Sequence, residues 1–200
     1  MDNSNNKIFI VKLASILFAI VFIATLLLTL CNYLTKDTIA ELNLKTAEEA
    51  KQEVIAGATF EEIEIDEQLK AELEKDYTYK AAYKAEKDGK FAGYCVNVAP
   101  AGFGGDIDMI VGVNESFNIS GVKIITMAET PGLGAKAQEE DFYRQFADGK
   151  KGTLTVKKNA KNPSESEIAA ISGATITSQA VTDGANYAVE IAKRLDKEGK

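Results

Sequence analysis

A chain of 200 residues that is 46% apolar has room for one folded domain and an appendage, which excludes a wholly disordered polymer. With no histidine and only two cysteines, Cys31 and Cys95, it has no imidazole for haem or zinc and too few thiolates for an iron–sulfur cluster within the chain. The net charge is -7; three of the 23 basic residues and one of the 30 acidic ones precede Asp37, so the acidic remainder lacks the basic surface that nucleic acid rewards. Redox chemistry here would need an organic cofactor or a partner.

The first predicted element is a membrane anchor, residues 1–35. No charge interrupts Leu13–Thr35, and Leu13–Cys31 is broken only by Ser15, Thr25 and Thr29. As a helix this window is roughly 35 Å long, enough to cross a hydrocarbon core of about 30 Å. The exit Leu30-Cys31-Asn32-Tyr33 has no small-residue cleavage site, and Leu30 is bulky where a lipoprotein signal has a small residue, so the span is read as retained. Lys7 and Lys12 before it and Lys36, Lys45 and Lys51 after it do not decide its orientation.

Residues 36–76 read as a helical stalk: a polar helix over 37–56 and a second one over Asp66–Lys75. The domain is expected over 77–200. Tyr77, Tyr79, Ala81, Tyr83 and Ala85 alternate with more polar residues, which predicts a half-buried strand. Asp88-Gly89 then predicts a hairpin into Phe91–Val98. After the loop Gly102-Phe103-Gly104-Gly105, Ile107, Met109, Val111 and Val113 mark one face of another strand, and a turn at Asn114–Ser116 leads into a strand over Val122–Met127. A short helix over Asp141–Phe146, a short strand over Thr153–Val156 and a polar loop at Asn162-Pro163 come next. The last helix, Thr177–Leu195, carries Val181, Ala185, Ala188, Ala192 and Leu195 as one apolar stripe. Hairpins followed by helices predict an α+β domain behind a single N-terminal transmembrane helix.

Two loops carry the chemistry. Ser172-Gly173-Ala174-Thr175-Ile176-Thr177-Ser178 is a small-residue turn entering a helix. Glycine lets backbone approach a ligand, and a helix start offers unpaired N–H groups suited to phosphate. The hydroxyls of Ser172, Thr175, Thr177 and Ser178 add donors, although read alone they also fit an ordinary N-cap. Glu129-Thr130-Pro131-Gly132-Leu133-Gly134 is a rigid loop that presents Leu133 between glycines, as a flat ring would need; read alone it is also a plain turn.

Taken together and in this order, the two loops, the GFGG loop at Gly102–Gly105 and the N-terminal span resemble an FMN-binding domain family. That family is shared by the G subunit of Rnf complexes and the C subunit of the sodium-pumping NADH:quinone reductase. The resemblance covers essentially the whole chain. It implies one FMN per chain, joined by a phosphoester to Thr175 by a dedicated flavin transferase. Ser172, Gly173, Ala174 and Thr177 on one loop, and Glu129, Thr130, Gly132, Leu133 and Gly134 on the other, are the further expected cofactor contacts. Family members often carry Asp three residues before the motif's serine, where this chain has Ala169. The resemblance further implies an electron carrier working beside integral-membrane and iron–sulfur subunits, with its flavin domain outside the cytoplasmic membrane. The compact length suits the Rnf subunit better than the quinone reductase one. A non-redox sensor is disfavoured by the intact Thr175, and a free-standing flavin reductase would need a substrate pocket that the sequence does not display.

Overall fold

The computed structural model describes residues 3–147, 150–160 and 162–199; the outermost residues of the expected anchor and domain, 1, 2 and 200, lie outside them. The chain divides into two compact units, Met1–Leu44 and Lys45–Lys200. From Asn3 onward the first is part of helix α1 (Asn3–Val54), and its large apolar side chains from Phe9 to Leu34 are exposed. It is long and apolar enough to cross a membrane.

The second unit opens with the last turns of α1. Strand β1 (Thr59–Glu62) and helix α2 (Glu67–Tyr77) come next. The Asp66 carboxylate caps α2 by accepting from the Leu69 N–H at 2.8 Å, and Thr78, left-handed at φ 50°, ends it. That left-handed cap keeps Tyr77 out of the strand in which the alternation placed it. Strands β2 (Tyr79–Lys87) and β3 (Lys90–Val98) form the expected hairpin. Asp88 (φ 53°) and Gly89 (φ 73°) both take the positive φ that a two-residue turn matching the sheet twist requires. Strands β4 (Asp108–Asn114) and β5 (Ile119–Thr126) complete an antiparallel sheet in the order β1-β2-β3-β4-β5.

One face of the sheet builds the main core. Tyr94, Val96 and Val98 of β3, Met109, Val111 and Val113 of β4, and Val122 and Ile124 of β5 pack with helix α4 (Thr175–Lys197). The predicted stripe on α4, from Val181 to Leu195, is fully buried there. Each such Val or Leu contributes about 1.5–3 kcal/mol. In β2 the bulges near Tyr79/Ala81 and Ala85/Glu86 reset the alternation: Tyr79 and Ala82 face the core, whereas Tyr83 packs on the opposite face.

The expected stalk is divided by the structure. The chain is helical to Val54, but β1 joins the sheet beside β2, and Leu69 and Leu73 of α2 enter the main core. The end of α1 is itself packed: Ala50 and Val54 lie with Cys95 and Ile110 against the second face of the sheet. Gly112 and Gly121, paired across β4 and β5, leave the space that Val54 occupies.

The rest of the domain carries the chain into α4. A 3₁₀ turn (Gly134–Gln138), helix α3 (Glu140–Tyr143) and a second 3₁₀ turn (Arg144–Phe146) precede two short parallel strands, β6 (Thr155–Lys157) and β7 (Glu167–Ala169). Two amide side chains hold these strands. Asn186 accepts from the Leu154 N–H at 2.8 Å and donates to its carbonyl at 2.9 Å, while Gln145 accepts from the Ala169 N–H at 2.8 Å.

Candidate functional site

The start of α4 is organised by a hydroxyl that no ligand could share. Ser178 Oγ accepts from the Ile171 N–H and donates to the Ala174 carbonyl, both at 2.9 Å, so the serine expected as a ligand donor instead fixes the turn. Gly173 takes φ 78°, and Ala174 stands at the N-cap with no side chain capping the helix. The ordinary N-cap that the serine and threonines also fitted is therefore not formed. An uncapped first turn retains unpaired N–H groups and the positive end of the helix dipole.

This helix start, the loop at Glu129–Gly134 and the loop at Gly102–Gly105 meet around a cavity of about 380 Å³. Its size falls within the range of about 300–1,000 Å³ usual for small-molecule sites. Of the expected contacts, Glu129, Thr130, Leu133, Gly134, Gly173, Ala174, Thr175 and Thr177 line it. Ser172 lies instead on a neighbouring depression with Lys136 and Gln145, and Gly132, at φ 77°, shapes the turn without lining the cavity. Thr175 is half-buried, whereas Thr177 is only 1% exposed, so Thr175 is the more accessible of the two threonines.

Two wall residues escaped the sequence reading. Phe103 and Ile176 are 70% and 57% exposed and Leu133 is 44% exposed. Among the described residues of the second unit, these three are the exposed large apolar side chains, and all three line this cavity. Single exposed apolar residues are common, but their convergence on one concavity marks a surface meant to be covered. Phe103 was legible only as a residue between glycines, and Ile176 only as a residue between threonines.

Glu129, besides lining the cavity, has a structural part that its sequence position did not reveal. Its carboxylate is buried, and Oε1 accepts from the Phe103 N–H at 2.7 Å and the Gly104 N–H at 3.2 Å. It joins two of the loops. Thus the cavity joins apolar side chains to a helix end suited to an anion, which fits the ring and the phosphate of FMN; no cluster able to hold a metal occurs among the described residues.

Comparison with known proteins agrees with this geometry. Residues 102–190, which contain all three loops, match the FMN-binding domain family. The chain is 37% identical over 195 residues to the G subunit of the Na⁺-translocating ferredoxin:NAD⁺ oxidoreductase complex of Acetobacterium woodii, covering 93% of each chain. It is 32% identical to the G subunit of the proton-translocating ferredoxin:NAD⁺ oxidoreductase complex of Clostridium ljungdahlii, covering 94% of each. Two crystal structures share its fold. One is the C subunit of the Na⁺-translocating NADH-quinone reductase of Parabacteroides distasonis, with a TM-score of 0.51 and 24% identity over 78% of this chain and 94% of that one. The other is NqrC of Shewanella oneidensis, with a TM-score of 0.50 and 25% identity over 58% and 61%. From its sequence, fold and site, the chain belongs to the family of G subunits of ion-translocating ferredoxin:NAD⁺ oxidoreductase complexes, the Rnf type.

Proposed function

We propose that this chain relays electrons within a membrane-bound, ion-translocating ferredoxin:NAD⁺ oxidoreductase complex, through one FMN bonded by its phosphate to Thr175. The relatives named as subunits of such complexes support the first part. The observation that carries the second is the place of Thr175: half-buried, first in an uncapped helix, on the wall of a cavity that Phe103, Leu133 and Ile176 also line. FMN supplies one- and two-electron chemistry, which lets it connect iron–sulfur centres with other carriers.

The chain's own residues bind and orient. The first turn of α4 offers N–H groups and a dipole to the phosphate. Leu133, Phe103 and Ile176 offer apolar surface to the ring and exclude water from it. With no histidine to activate Thr175, attachment is assigned to an external flavin transferase. The bond formed joins Thr175 Oγ1 to the FMN phosphorus of a phosphoanhydride donor; the anhydride P–O bond breaks, the hydroxyl proton leaves with the displaced phosphate group, and the chain gains FMN less water. A covalent tether keeps the cofactor at high effective concentration on the extracytoplasmic side, where a dissociable flavin would be lost. The partners in this reading are the integral-membrane and iron–sulfur subunits of the same complex. The test is Thr175→Ala in the native host. It should leave the protein in the membrane complex, abolish the flavin fluorescence of the denatured band and stop ferredoxin-dependent NAD⁺ reduction by membranes. Full activity in that variant would refute the relay.

A further inference from the structure

Two of the glycine-bearing loops at the cavity converge on one buried acid. A Cβ at Gly102 would collide with Glu129 Oε1, and one at Gly134 would collide with Glu129 Oε2 and stand 2.7 Å from Thr177 Oγ1. A Cβ at Gly104 would strike the Ala128 carbonyl. Gly102 and Gly134 are therefore small because the carboxylate lies between them, and Gly104 is small because its loop rests on the backbone leading to Glu129. The loop is closed further by the Gly102 N–H donating to the Gly105 carbonyl at 2.8 Å and by the bridge between Ala101 and Asp106. Phe103, the most exposed large apolar side chain of the second unit among the described residues, sits at the tip of this held loop. An aromatic side chain fixed so firmly by its backbone, yet left without a packing partner, is preorganised for a ligand.

We infer that Glu129 is a positioning residue, whose carboxylate ties the loop at Gly102–Gly105 to the loop at Glu129–Gly134 and so holds the Phe103 ring over the bound flavin as a shield against solvent. The inference rests on the flavin reading above. Phe103 touches the cofactor, and Glu129 acts through Phe103. Buried carboxylates that accept backbone N–H groups form stronger hydrogen bonds than neutral acceptors do, which suits this one to fixing a loop made mostly of glycine.

The experiment uses the full chain, flavinylated in its native host and purified in detergent, with iodide quenching of the flavin fluorescence as the readout. Phe103→Ala should raise the quenching constant several-fold. Glu129→Ala should raise it to the same extent, and the double variant should add nothing further. Glu129→Gln, whose amide oxygen still accepts both N–H groups, should stay near wild type. If circular dichroism shows that Glu129→Ala does not fold, Gly102→Ala, which displaces the carboxylate, takes its place under the same outcomes. Wild-type quenching in Phe103→Ala or Glu129→Ala, or independent effects that add in the double variant, would overturn the inference. The mass of the Thr175 peptide is measured in each sample, so absence of flavin from the wild type counts against the flavin reading, while flavin present with unchanged quenching counts against the positioning role alone.

Discussion

Leu133 is the side chain through which we expect the loop at Glu129–Gly134 to tune the cofactor. It stands on the cavity wall, and its Cδ2 lies 3.1 Å from where a Cβ on Gly173 would be, so it bridges the two motif loops. Leu133→Asp would put a carboxylate against the ring and oppose the negative charge that reduction adds. The flavin potential should fall by an amount on the order of 1 kcal/mol per electron. A redox titration of the folded, flavinylated variant checks this, and an unchanged potential would show that the side chain does not reach the ring. Thr177→Ala should keep the flavin, because Thr177 is 1% exposed, and should cost stability on the order of 1 kcal/mol. The two motif loops were legible because glycine, proline and hydroxyl residues are unusual in such density. The parts played by Ser178 and Glu129 were not. Both depend on partners that only folding supplies: Ile171 and Ala174 for the serine, and a loop some 25 residues away in sequence for the acid.

At the scale of elements, the end of α1 is a structural part of the domain. Ser120 Oγ donates to the Val54 carbonyl at 2.8 Å, satisfying one of the helix's last acceptors, and Lys123 pairs with Glu53 at 2.8 Å. Lys51, 5% exposed, pairs with Glu48 and lies 4.1 Å from the centre of the Tyr83 ring. Gly112→Val would push Val54 from its seat and should destabilise the domain by about 1–3 kcal/mol. Cys95 reports on this packing. Burial pushes its thiol from 9.0 up to about 12, with Lys51 opposing the shift, so alkylation in the folded protein should be negligible at pH 8. The Gly112→Val variant should label Cys95 at a lower urea concentration than wild type, and equal midpoints would mean that the seat contributes nothing. Burial likewise pushes Tyr79 from 10.0 up to about 12, helped by Glu62. Both groups stay protonated in the fold after the unfolded chain has ionised them. Their stabilising effect is therefore complete below about pH 8.5 and lost progressively as pH rises towards 12. The longer strands and α4 were legible because alternation and the three-and-four spacing each had several turns or pairs to repeat. β1 and β7 were not: β1 is a polar edge strand, and in β7 only Ile168 is fully buried. The bulges that reset the facing of β2 leave no mark in the amino-acid pattern, and the docking of the end of α1 was hidden in a segment that reads simply as polar helix.

For the whole molecule, one apolar helix and a flavin-type domain make a single-pass membrane protein. We expect the domain to face away from the cytoplasm, where a covalent bond to the cofactor has a purpose. Protease added to intact spheroplasts should digest the chain beyond Asp37; protection until lysis would reverse that orientation. The central claim is the bond at Thr175, and the mass of the proteolytic peptide that carries it, taken from protein purified from its native host, tests it most directly. The account predicts a peptide heavier by FMN less water, with the addition gone in Thr175→Ala and kept in Thr177→Ala. An unmodified Thr175, or an addition that follows Thr177, would contradict it.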